Sequence, residues 1–281
     1  MIMDLIKERA LEKSPFCVGL DLRMDQIPTE IKTSFEKKGD MLFAYAKEAI
    51  DMSKEYAACY KVQIACYEAE GLEGMKAYSD ILAYIRSIGE IVIGDVKRGD
   101  IGSTAGLYAK GHFTGDFESD IVTLSPYMGK DAISPYFKYF ESGKGAFVLG
   151  KTSNEGSLDF QDLKIGDETL YEKVLNKIKE WSKELDIQCE YSPIGAVVGV
   201  NEAKELKSLK ETTKGIYLLI PGYGAQGASI EDIRELIYES KNGVVNVSRG
   251  YTAGISDSID FRKELRERAQ RLSKELIGCI R

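Results

Sequence analysis

Gly94 to Thr104 reads GDVKRGDIGST. It follows an apolar run, Ile91-Val92-Ile93, with the character of a buried strand. Side chains two apart on a strand share a face, so Asp95 and Lys97 project side by side, carboxylate beside ammonium. Gly99 lets the chain turn, and Asp100 adds a second carboxylate just past the strand end. Thr104 falls where a helix can begin, with His112 further along it. An ordinary salt bridge at a strand mouth would use the same residue types. Charges crowded at a buried strand end are nevertheless costly unless paired with one another or put to use.

Outward from this strand the same pattern recurs. Short, mostly apolar runs lie at residues 16–20, 57–64, 120–124, 145–149, 194–200, 215–220 and 243–247. Between them the apolar spacing predicts helices at 40–54, 73–87, 169–185, 202–210 and 230–240, with others at 4–13 and 259–276. Buried strands alternating with helices make a parallel sheet. Eight such units in 281 residues predict an α/β fold, a closed (β/α)8 TIM barrel in one domain spanning residues 1–281. An open doubly wound sheet is the alternative, but no G-x-G-x-x-G follows the first strand. An N-terminal helix precedes the barrel. Residues 152–169 read as a surface insertion between strands five and six.

Composition narrows the function. A net charge of −7 argues against nucleic-acid and membrane-surface partners. The N-terminus is charged throughout, unlike a signal peptide, and no apolar run is long enough to span a bilayer. The five cysteines are odd in number and widely spaced, which fits reduced thiols in a cytoplasmic protein. The single histidine, His112, rules out multi-histidine metal sites and reads as structural or solvated.

In a barrel the strand C-termini share the face that carries active sites. The polar residues at those ends are Asp21, Lys61, Asp95, Lys97, Asp100, Ser125, Asn154, Gln226 and Arg249. The expected array alternates Lys61, Asp95, Lys97 and Asp100, which keeps every member charged. The exits of strands seven and eight have the composition of a phosphate site. Pro221-Gly222-Tyr223-Gly224-Ala225-Gln226-Gly227 is a glycine-rich loop suited to a lid. Arg249 can pair with phosphate in bidentate fashion, and Gly250 permits close backbone approach.

The combination Asp95-x-Lys97-x-x-Asp100-Ile101-x-x-Thr104, Pro221-Gly222-x-Gly224-Ala225-Gln226-Gly227 and Ser248-Arg249-Gly250 resembles the orotidine 5′-phosphate decarboxylase family. Gly19-Leu20-Asp21, Lys61-x-Gln63 and Thr152-Ser153-Asn154-x-Gly156-Ser157 extend the likeness along nearly the whole chain, toward the longer bacterial-type branch. Val62 and Ala228 depart from residues common in that branch, without loss of a functional group. The resemblance implies cofactor-free decarboxylation to UMP, with no metal. It makes Lys97 the proton donor to C6 and places Asp95 beside the departing carboxylate, with Lys61 and Asp100 holding the array rigid. It puts Asp21 and Lys61 at the ribose, and Ser125 at the pyrimidine. Pro221, Gln226, Arg249 and Gly250 fall at the phosphate. It further implies a homodimer in which Asp100, Ile101 and Thr104 complete the partner's site. Two other readings share the third-strand motif or the fold. One is a Mg²⁺-dependent sugar-phosphate decarboxylase or aldolase. The other is a non-catalytic nucleotide-binding barrel.

Overall fold

A computed structural model describes residues 1–200, 205–223, 229–255, 258 and 260–281. Its eight parallel strands close into one barrel. They are β1 (Phe16–Gly19), β2 (Cys59–Gln63), β3 (Val92–Arg98) and β4 (Ile121–Leu124), then β5 (Gly145–Lys151), β6 (Ile194–Val198), β7 (Leu218–Ile220) and β8 (Gly243–Val247). Sequence neighbours pair around the ring, and β1 closes it against β8 through Phe16 opposite Val245. Nearly every strand residue is buried, as the continuous apolar runs require when helices cover one face and the barrel core fills the other.

The helices are α1 (Ile2–Glu12), α2 (Lys38–Ser53), α3 (Gly71–Ser87) and α4 (Gly102–Phe113), followed by α5 (Leu170–Lys183), α6 (Leu206–Thr212), α7 (Ile230–Ile237) and α8 (Phe261–Ile277). Each turns an apolar stripe inward; on α3 the stripe is Ala77, Tyr78, Ile81, Leu82 and Ile85. Thr169 and Glu172 start α5 with a reciprocal capping box, and Ser229 caps α7 by accepting the Asp232 N–H. α1 closes the floor of the barrel. A Cβ added to Gly145, at the start of β5, would meet Ile2 Cγ2 at 2.6 Å.

The single-barrel fold is as expected; the detail differs in three places. Between β4 and β5 the chain makes 3-10 turns, Gly129–Ala132 and Ser134–Ser142, in place of an α-helix. A short helix, Ile64–Glu68, follows β2 directly. The insertion after β5 is folded, with a 3-10 turn at Glu155–Asp159 and a small hairpin pairing Lys164–Ile165 with Glu168–Thr169. Of the helices expected at 202–210 and 259–276, residues 202–204 and 259 lie outside those described; the observed helices are α6 and α8.

Candidate active site

β3 brings Asp95 to the barrel mouth and then leaves regular strand geometry. Its register against β4 shifts between Gly94 and Arg98, and Lys97 adopts φ 43°, a left-handed value rare outside glycine. Thr123 of β4 holds this bend. Its hydroxyl accepts the Val96 N–H at 3.0 Å and the Lys97 N–H at 2.9 Å, and donates to Asp95 Oδ1 at 2.8 Å. The bend lays the Lys97 ammonium 2.6 Å from Asp95 Oδ1.

Asp95 is 5% exposed and receives four donors. Lys97 and Thr123 take Oδ1; Lys61 Nζ and Gln63 Nε2 take Oδ2, both at 2.9 Å. Burial opposes its charge, but the Lys61 and Lys97 ammoniums outweigh burial and hold its carboxyl well below the usual carboxylate range. Lys61 is likewise buried, yet Asp95 and Asp21 raise its pKa above the ordinary lysine value. Asp21 reaches Lys61 Nζ at 3.1 Å because β1 pairs with β2, Gly19 opposite Lys61.

These groups face a cavity of about 680 Å³ at the C-terminal ends of the strands. Seven of the residues singled out from sequence line it: Asp21, Lys61, Asp95, Lys97, Asn154, Pro221 and Arg249. Within the chain the array runs Asp21, Lys61, Asp95, Lys97, because the neighbouring strands β1 and β2 pair. Asp100 stands outside it within the chain and accepts the Ile101 N–H at 2.8 Å. Ser125 is not among the residues lining the cavity, and its N–H donates to the Arg98 carbonyl at 2.7 Å. Gly250 lies in the short helix Arg249–Thr252 and is exposed, off the cavity wall. Ile101 and Thr104 are exposed at the start of α4. Gln226 lies outside the described residues.

The wall also holds Gln63, Thr152 and Ser153, which belong to the quoted motifs without an assigned role, and Thr123 and Asn246, which the sequence reading does not single out. Thr123 and Asn246 were detectable as lone polar residues inside apolar strands, and Gln63 as the same-face neighbour of Lys61. His112 is structural. It is 4% exposed, and its Nε2 accepts from Arg98 Nε at 3.2 Å. Burial, with the Arg98 charge, lowers its pKa to about 4 and keeps it neutral. Among the described residues no cluster of histidine, cysteine and carboxylate side chains has the arrangement of a metal site.

Such a mouth defines a (β/α)8-barrel enzyme whose chemistry rests on fixed opposed charges. More particularly, the chain belongs to the Orotidine 5′-phosphate decarboxylase / HUMPS family, whose pattern matches residues 14–254. It is 42% identical to an orotidine 5′-phosphate decarboxylase of Clostridium tetani, over 100% of this chain and 99% of that one. With the enzyme of the same name from Clostridium perfringens it shares 46% identity over 89% and 88% of the two chains. Among solved structures, OMP decarboxylase of Leishmania donovani superposes with a TM-score of 0.77 at 30% identity, covering 99% and 98% of the two chains.

Proposed function

We propose that this chain decarboxylates orotidine 5′-phosphate to UMP and CO2 in pyrimidine biosynthesis, with no cofactor. The observation that carries it is the Lys61–Asp95–Lys97 array, in which one ionised carboxylate is locked between two ammoniums at the cavity mouth. Loss of CO2 from C6 leaves the bonding electron pair on an sp² carbon with no conjugated sink. Only positive charge placed there in advance, and a proton, can stabilise it. The Lys97 ammonium supplies both. Its side chain is 48% exposed, so it can leave Asp95 for C6 and recover a proton from water. Asp95 is held too tightly to turn away, and its charge opposes the substrate carboxylate beside it.

The rest of the wall assigns the substrate's other parts. Asp21 and Lys61 suit the ribose hydroxyls. Arg249, beside Pro221, suits the phosphate, and Gln226 on the glycine-rich loop would close over it. Thr152 and Ser153 take the base-reading role first assigned to Ser125, because they line the cavity and Ser125 does not. The site is completed by a two-fold partner through Asp100, Ile101 and Thr104. In support, Ile101, Leu107, Tyr127 and Met128 are exposed apolar residues following β3 and β4. All five cysteines are free, in keeping with a reducing cytoplasm.

The decisive experiment mixes purified protein with orotidine 5′-phosphate and follows loss of substrate absorbance, with and without EDTA. Turnover unchanged by chelation is expected, because the β2 exit offers Lys61 and Gln63 where a Mg²⁺ barrel would offer carboxylates. Absence of turnover, or turnover restored only by Mg²⁺, refutes the proposal.

A further inference from the structure

Lys151 ends β5 with a side chain that is 0% exposed, and no step above uses it. Its ammonium pairs with Asp162 in the insertion and with Glu205, the residue preceding α6, at 3.4 Å. It also lies 4.8 Å from the centroid of the Tyr171 ring at the start of α5. Three segments that follow β5 and β6 are therefore tied to one buried charge. A buried ion pair is rarely more stabilising than apolar residues of the same volume. What it supplies is one defined geometry, since each partner is lost if the other moves.

The residues next in the chain are the ones that need such a geometry. Thr152, Ser153 and Asn154 line the cavity. Gln161, adjacent to Asp162, grips Thr152 twice. Its Oε1 accepts the Thr152 N–H at 2.8 Å, and its Nε2 donates to Thr152 Oγ1 at 2.7 Å. Thr152 Oγ1 in turn donates to Asn154 Oδ1 at 2.7 Å. From behind, the Gly199 N–H donates to the Lys151 carbonyl at 2.8 Å. A Cβ on Gly199 would meet Ser153 N at 2.9 Å, so the Ser153 backbone lies directly against it.

We propose that Lys151 is a positioning residue for base recognition. By holding Asp162 and Glu205 it fixes the insertion against β5 and β6. Through Gln161 it thereby sets Thr152, and with it the adjoining Ser153, toward the polar edge of the pyrimidine. The inference rests on the nucleotide assignment above.

The test separates base recognition from general loosening. UMP presents ribose, phosphate and base; ribose 5-phosphate lacks the base and meets only Asp21, Lys61 and the phosphate end. Lys151→Met and Asp162→Asn should each weaken UMP binding by about tenfold, the weight of one neutral hydrogen bond, while changing ribose 5-phosphate binding by less than about twofold. Calorimetric titration of both ligands gives the two ratios. Should Lys151→Met fail to fold, Asp162→Asn decides, because it preserves shape and leaves Lys151 its Glu205 partner. Equal weakening of both ligands, or unchanged UMP binding in a folded variant, overturns the positioning role alone. Wild-type protein that neither turns over orotidine 5′-phosphate nor binds UMP overturns the nucleotide assignment and this inference with it.

Discussion

The Lys97 ammonium sits 2.6 Å from Asp95 Oδ1 while Lys97 itself, at the irregular end of β3, adopts φ 43°. A residue with a Cβ pays about 1–2 kcal/mol for that conformation, and it persists where function over-determines it. Lys97→Ala and Lys97→Gly both delete the ammonium and should both abolish decarboxylation while the product nucleotide still binds. They differ in backbone strain. Lys97→Gly should be more stable than Lys97→Ala by up to about 1 kcal/mol, the left-handed penalty less the extra entropy glycine loses on folding. Urea unfolding of the two variants decides; an alanine variant as stable as the glycine one denies that strain is stored there.

Thr123 holds the same bend from the neighbouring strand. Thr123→Val keeps the volume but removes the acceptor for two N–H groups and one donor to Asp95. It should cost about 2–4 kcal/mol, because buried donors left unpaired are expensive. Its turnover number should fall by about tenfold or more as Lys97 loses its preset position. Thr123→Ser retains the hydroxyl and should stay near wild type in both measurements. Equal behaviour of the valine and serine variants would remove Thr123 from the mechanism.

The array also sets the acid limb of stability. The folded-state pKa of Asp95 is depressed, so its contribution is present above the unfolded value of about 3.9 and is lost as pH falls toward the folded one. Asp95→Asn should therefore be less stable than wild type at neutral pH. The gap should narrow steadily below pH about 4, as the unfolded wild-type chain binds the proton that folded Asp95 does not. Denaturant midpoints measured from pH 7 to pH 2 report it. A gap that stays constant would mean Asp95 is not held ionised by its neighbours.

The fold was legible because a buried parallel strand has few ways to be written. β8 was read at its observed bounds, Gly243–Val247, from an apolar run that ends at polar Ser248. The pairing of Asp95 with Lys97 was legible from a period of two, although the chain achieves it through a bend that periodicity does not encode. Chain order lists Asp100 after Lys97, whereas within the ring it is Asp21 that stands beside Lys61, through the Gly19–Lys61 pair of the neighbouring strands β1 and β2. Counting strand exits also promoted Ser125, whose N–H is taken by Arg98; the cavity-facing polar group on that strand is Thr123, two residues earlier. The turns at 129–142 wind as two short 3-10 stretches, of which Ser134–Ser142 buries Tyr136 and Phe140.

Arg249→Ala, on the cavity wall, and Gln226→Ala should each chiefly slow reaction of the phosphorylated substrate. Arg249→Ala should be the more damaging, since a charge-assisted pair is roughly twice as strong as a neutral hydrogen bond. With orotidine, which lacks the phosphate, both changes should matter far less. Comparing kcat/KM on the two substrates gives the answer; equal losses on both would remove these residues from phosphate binding.

The shared-site dimer is testable by mixing two inactive variants. Lys97→Ala lacks the proposed proton donor, and Asp100→Ala is expected to be severely impaired. If Asp100 acts in the partner's site, a heterodimer of the two has one site with both lesions and one with neither. Random mixing of equal amounts gives about half heterodimers, each with one intact site of two. About a quarter of wild-type activity should therefore return, by the two-fold symmetry of an isologous dimer. The measurement is turnover after subunit exchange, with heterodimers verified by differential tags. Asp100 lies outside the Asp21–Lys61–Asp95–Lys97 array of its own chain, with its carboxylate on the Ile101 N–H at the foot of α4, where Ile101 and Leu107 are exposed and would supply the proposed contact. Confirmed heterodimers without recovered activity would return Asp100 to its own subunit and end the shared-site proposal, while leaving the decarboxylase assignment standing.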